Sequence, residues 1–139
     1  MGRAYLWFCS VWAGDTCSTA TASRVSDSGG AQFFPAIAAD GNGGAFVSFS
    51  QTNPLQATSA DNSYDTWLAH VVPASSTTVT KVSTASSKPN KDFFFSGGFI
   101  GDYHGMTVLG GTAHPLWTDL RSADPNYPGY EMDAMVYSP

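Results

Sequence analysis

The chain repeats itself, and that repeat restricts it to a modular β architecture. Pro35-Ala36-Ile37-Ala38-Ala39-Asp40-Gly41-Asn42-Gly43-Gly44-Ala45-Phe46-Val47-Ser48-Phe49 returns as His104-Gly105-Met106-Thr107-Val108-Leu109-Gly110-Gly111-Thr112-Ala113-His114-Pro115-Leu116-Trp117, one residue shorter at the turn. Each copy reads as strand, glycine turn, strand. A second echo links Tyr5-Leu6-Trp7-Phe8-Cys9, Asp65-Thr66-Trp67-Leu68-Ala69 and Asp133-Ala134-Met135-Val136-Tyr137. The period is roughly 60 to 70 residues, somewhat above that of common propeller blades, and about two units are too few to close a ring. The expected fold class is therefore all-β, built from β-propeller blades that are four-stranded antiparallel sheets, about two per chain.

Composition agrees with short strands and tight turns. The 139 residues include 14 glycines and 8 prolines, and only 12% are charged, which disfavours coiled coils and long helices. With a net charge of −5 and its six basic residues scattered singly, the chain has no stripe able to neutralise a run of phosphates, so nucleic acid is not an expected partner. The longest apolar stretch, Ala4 to Ala13, contains Ser10 and is far short of the ~20 residues of a membrane helix, so no membrane partner is expected. Cys9 and Cys17 flank Gly14-Asp15 at a spacing that permits either a hairpin disulfide or two reduced thiols. Residues 1–30 lack the regions of a signal peptide, while the Ser/Thr-rich composition suits a secreted or extracellular parent protein.

Along the chain, residues 1–30 read as outer strands of a blade, residues 31–85 as a complete blade, and residues 99–139 as the inner strands of the next. The strands of the complete blade are expected at Phe34 to Ala39, Ala45 to Ser50, Thr66 to Val72 and Thr77 to Ser83. Those of the next are expected at Met106 to Leu109, Ala113 to Trp117 and Met132 to Tyr137. The segment from Ser86 to Phe99, with Phe93-Phe94-Phe95, is expected to cross between blades and plug an apolar gap.

From Gln32 onward the chain resembles the sialidase-like propellers with BNR repeats. The resemblance rests on Phe34-Pro35-Ala36-Ile37-Ala38-Ala39-Asp40 with Gly43-Gly44, on Phe99-Ile100-Gly101-Asp102-Tyr103-His104-Gly105, and on His114-Pro115-Leu116-Trp117-Thr118-Asp119-Leu120-Arg121. The family's Asp-box, Ser-x-Asp-x-Gly-x-Thr-Trp, is not intact: Ser59 to Trp67 is one residue too long and has serine for glycine. The resemblance implies a six-bladed ring, which with two blades per chain would be completed by a homotrimer. It also implies a secreted protein. The sialidase arginine triad and tyrosine–glutamate pair cannot be assembled from one chain with three arginines and the single glutamate Glu131.

Asp102, Tyr103 and His104 precede an innermost strand, where propeller side chains reach the central channel, and they are the candidate catalytic residues. Asp102 and His104, multiplied around an axis, are also candidate ligands for a divalent cation, with Ca²⁺ or Mg²⁺ suited to carboxylate and Zn²⁺ to imidazole. The plainer reading has Asp102 capping a turn and Tyr103 packing between blades. Arg121 and Asp119 are either a surface ion pair or, with Tyr127 and Tyr130, the substrate-binding set, Arg121 clamping an anionic group. His70 and His114 read as packed or hydrogen-bonded strand residues, and Asp40-Gly41-Asn42-Gly43 as a turn. Trp7, Trp67 and Trp117 are expected in the core. The leading functional expectation is a hydrolase acting on an anionic, ester, phosphoester or glycoside small substrate at a polar, metal-binding channel. The alternatives are a glycan-binding module without turnover and a structural unit that only oligomerises.

Overall fold

The computed structural model describes residues 7–8, 23–26, 29–53, 63–72, 75–89, 100–121 and 133–139. These form three antiparallel sheets and no helix among the described residues. The first pairs β1 (Trp7–Phe8) with β2 (Ser23–Arg24). The second has the order β3 (Gln32–Ala39), β4 (Ala45–Thr52), β5 (Tyr64–Val71), β6 (Thr78–Lys81). The third has the order β7 (Gly105–Leu109), β8 (Thr112–Asp119), β9 (Asp133–Val136). No described helix is long and apolar enough to cross a membrane.

The sequence echoes reappear as equal registers. Phe49 lies opposite Trp67 in the second sheet, and their counterparts Trp117 and Met135 lie opposite each other in the third. The missing turn residue is also visible: Ala39 pairs with Ala45, whereas Val108 pairs with Ala113. In the first sheet Trp7 pairs with Arg24, as Trp67 pairs with Lys81, so β1 and β2 occupy the third and fourth strand positions of the repeat.

The two hairpins use different turn chemistry. In the first, Gly41 and Gly43 take φ of 81° and 90°, and Asp40 Oδ1 accepts hydrogen bonds from the backbone N–H of Asn42 at 2.7 Å and of Gly44 at 2.9 Å. In the second, Gly110 and Gly111 have φ of 58° and 80°, which gives the two-residue turn matched to strand twist.

The central strand β4 is almost entirely buried because both faces of its sheet are covered. On one face Val47, Phe49, Ala69 and Val71 form the main apolar cluster with Val25, which follows β2, and Trp67 and Val79 pack at its margin. The other face carries Ser48, Ser50 and Thr66 and turns toward the third sheet, whose buried row is Ala113, Pro115, Trp117 and Asp119. The third sheet's opposite row is open, with Leu109, Leu116 and Val136 exposed. The sheets thus stack in chain order, β3 lying alongside β7.

Polar bonds tie the second and third sheets together. The Tyr64 hydroxyl donates to the Thr118 carbonyl at 3.3 Å, the Leu120 N–H donates to Ser87 Oγ at 3.3 Å, and Lys88 N–H donates to the Leu120 carbonyl at 3.4 Å. Burial pushes the Tyr64 phenol up to about 12. Gly101 packs so closely that a Cβ there would stand 2.3 Å from Thr118 Oγ1.

Candidate functional site

The segment Gly101-Asp102-Tyr103-His104 enters β7 at the seam between the second and third sheets. Gly101 supplies a φ of 87° that turns the chain into the strand. Asp102 is exposed, and Tyr103 is 81% exposed instead of packing between sheets. His104 turns inward, its ring 5.3 Å from that of Phe34 on β3. Burial pushes the imidazole down to about 4, so it is neutral at physiological pH. Both its Nδ1 and Nε2 are buried and lack a hydrogen-bond partner among the described residues. An imidazole in that state has one donor and one acceptor to offer, and leaving both unmade is costly.

Phe34 was not among the candidate site residues read from the sequence. It takes φ of 52° at the irregularity in β3 between Phe33 and Ala36, although the residue before a proline ordinarily stays extended. A left-handed non-glycine of this kind stores about 1–3 kcal/mol and clusters at functional positions. Its ring meets Phe33 at 5.2 Å, and Phe33 meets Tyr64 at 5.3 Å, which makes an aromatic wall behind His104. The sequence held no signal for this geometry beyond three consecutive bulky residues.

Asp119 and Arg121 form a buried brace rather than a surface pair. Asp119 is 1% exposed; its carboxylate accepts hydrogen bonds from Trp117 Nε1 at 3.0 Å and from Arg121 N at 2.9 Å, Nε at 2.8 Å and NH2 at 2.8 Å. Arg121 NH1 donates to Thr84 Oγ1, beyond β6 of the neighbouring sheet. Burial alone would raise the Asp119 carboxyl, but the Arg121 and Trp117 donors outweigh it and hold it below the ordinary carboxylate value, while Asp119 raises Arg121. The brace lies at the opposite end of β8's chain path from its turn, and its groups are engaged with protein partners.

His70 and Asp40 close the far end of the second sheet. His70 Nε2 and Asp40 Oδ2 stand 2.8 Å apart, and the His70 ring stacks on Phe46 at 4.3 Å. The His70 hydrogen bond, with those from Asn42 and Gly44, holds the Asp40 carboxyl below its ordinary 3.8. The folded value is the lower one, so this contribution to stability is complete above about pH 4 and is lost as pH falls through the folded value. Asp40→Asn is therefore expected to flatten the acid limb of a stability-versus-pH curve measured by urea unfolding; an unchanged acid limb would show that the turn does not depend on the carboxylate.

His114 is half-buried on β8 opposite Thr107, away from His104. Tyr127 and Tyr130, the Cys9–Cys17 pairing, Phe93-Phe94-Phe95 and the altered Asp-box between Ser59 and Asn62 lie outside the described residues. Among the described residues no three His, Cys, Asp or Glu side chains converge as a metal site, so a cation at Asp102 and His104 would need ligands beyond those two. No family model matches the chain, and neither the curated proteins nor the solved structures provide a match.

Proposed function

We propose that the chain supplies blades of a sialidase-like β-propeller and that the entry to β7 binds a neutral carbohydrate. The observation that carries this reading is His104, whose two buried ring nitrogens have no hydrogen-bond partner among the described residues, directly after the exposed Asp102 and Tyr103. A neutral imidazole offers a donor and an acceptor to sugar hydroxyls, the Asp102 carboxylate offers further acceptors, and an exposed tyrosine ring is a stacking surface for a pyranose face. Net charge of −5 and the adjacent carboxylate disfavour an anionic sugar, and the guanidinium of Arg121 is committed to Asp119 and Thr84. Recognition is put ahead of the hydrolase expected from the sequence because the Asp119 carboxylate and the Arg121 guanidinium already bond each other, Trp117 and Thr84.

The test is calorimetric titration with neutral oligosaccharides, N-acetyllactosamine and xylo- and cello-oligosaccharides, against sialyllactose as the anionic control. Binding to a neutral member, weakened about tenfold or more by Tyr103→Ala and by His104→Ala (~1.4 kcal/mol each), is the expected result. Silence across the neutral panel, or preference for sialyllactose, removes the proposal. Two further arms separate the neighbouring readings: release of reducing ends assigns a hydrolase, and binding lost in EDTA but restored by Ca²⁺ or Zn²⁺ assigns a metal to Asp102 and His104.

A further inference from the structure

The face of the second sheet that turns toward the third carries three hydroxyls without a hydrogen-bond partner among the described residues: Ser48 and Ser50 of β4 and Thr66 of β5, each at most 1% exposed. Leaving a buried hydroxyl unpaired is costly, and folded proteins rarely do it. Register puts the three together. Ser50 lies directly opposite Thr66, and Ser48 stands two residues away along β4, so all three share one face. Tyr64 is two residues before Thr66 on that same face, and its hydroxyl reaches the Thr118 carbonyl, which fixes the face as the one against the third sheet.

The protein groups around this row are already committed. β4 is paired on both sides, with β3 and with β5, so its backbone N–H and C=O groups belong to the two ladders. The Thr66 N–H donates to Ser83 Oγ, and the Thr66 carbonyl accepts from the N–H groups of Val82 and Ser83. Across the seam the buried row of the third sheet offers Ala113 and Pro115, whose side chains have no donor or acceptor. Opposed residues of an antiparallel pair hold their Cβ atoms about 4.5–5.5 Å apart, an interval that one oxygen spans with a hydrogen bond of about 2.8 Å on each side. Sheets stack about 10 Å apart, and the short side chains on both walls leave space in that gap for a solvent molecule. The Phe33 ring, beside Ser50 by register, meets Tyr64 edge-on at 5.3 Å and closes the end of the row.

We infer that Ser50 and Thr66 hold an ordered internal water molecule at the seam of the second and third sheets, with Ser48 as its third partner. An internal water typically makes about three hydrogen bonds, matching the hydroxyls on offer. Each hydroxyl rotates about its C–O bond to donate or accept as the water requires. The bound molecule satisfies polar groups that the apolar wall opposite leaves unpaired, and so serves the packing of the two sheets. It is independent of the carbohydrate proposed at His104.

A crystal structure of the full chain at a resolution that shows ordered solvent tests the inference directly. A solvent oxygen is expected within about 2.7–3.2 Å of both Ser50 Oγ and Thr66 Oγ1. Hydroxyls bonded directly to a protein group, or no solvent oxygen between them, would overturn it. Urea unfolding supplies the second readout. Thr66→Val keeps the side-chain shape and deletes the hydroxyl, and it should lower the folding constant about two- to tenfold, while Thr80→Val, at an exposed strand position, should change it by no more than about twofold. Adding Ser50→Ala to Thr66→Val should cost less than the sum of the two single changes, because both hydroxyls hold the same molecule. Thr66→Val as stable as wild type or more so, or strictly additive losses, would contradict a shared water.

Discussion

Asp119→Ala is expected to destabilise the fold by about 3–5 kcal/mol, the cost of breaking a buried charge pair from one side. The carboxylate is the single acceptor for four donors, from Trp117 Nε1 and from the Arg121 N, Nε and NH2 groups. Removing it strands a guanidinium whose side chain is only 16% exposed and an indole N–H in the same wall. The loss spreads beyond β8, because Arg121 also reaches Thr84 and Leu120 binds Ser87, both contributed by the preceding sheet. Against a typical total of about 5–15 kcal/mol, this is enough to unfold a small domain on mild heating. Urea unfolding measures it. Trp117→Phe, which removes one donor and leaves the charge pair, should cost about 1 kcal/mol for the hydrogen bond; equal losses for the two variants would show that the carboxylate is not the hub.

Gly101→Ala should cost about 2–4 kcal/mol through two separable effects, left-handed backbone strain and overpacking. The residue has φ of 87°, and the added Cβ would stand 2.3 Å from Thr118 Oγ1 and 2.6 Å from Thr118 Cβ. A shift of Thr118 is resisted by its place in β8 opposite Ala134 and by the Tyr64 hydroxyl on its carbonyl. Adding Thr118→Gly should recover only the steric part, since the backbone strain remains. Because Gly101 aims the following three residues, Gly101→Ala should also weaken oligosaccharide binding more than a variant in the first hairpin, such as Asp40→Asn, compared at matched folded fraction. Thermal unfolding and calorimetric titration of the same samples check both statements.

Much of the fold was legible because the repeat writes itself in register. Phe49 and Trp117, Trp67 and Met135, and the one-residue difference at the hairpin all fall where the sequence echoes place them. Glycine at positive φ explains why both hairpins could be read directly. Strand ends were less legible: β3 begins at Gln32, before the expected Phe34, because an irregularity absorbs Phe34 and keeps Gln32 and Phe33 paired with Gln51 and Ser50. No residue type in Phe33-Phe34-Pro35 advertises a left-handed φ.

The site was legible as a segment and not as an arrangement. Asp102, Tyr103 and His104 were singled out by their position before an inner strand, yet only the fold sets the His104 ring against Phe34 on β3 and leaves Asp102 and Tyr103 exposed. Asp119 and Arg121 are two residues apart, a spacing that reads as a local surface pair. In the fold Arg121 also bonds Thr84 and the intervening Leu120 bonds Ser87, partners that pattern alone does not bring near them. Local spacing reveals which groups can bond, while the dielectric around them is set by the neighbouring sheet.

The most direct measurement of the account is the long-range ¹H–¹⁵N spectrum of His104 in histidine-labelled protein, titrated with acid and then with N-acetyllactosamine or the neutral oligosaccharide that binds best. The account predicts a ring that stays neutral until about pH 4 and whose nitrogens shift when the sugar is added. Protonation near the ordinary 6.5, with nitrogens indifferent to every neutral sugar, would contradict it.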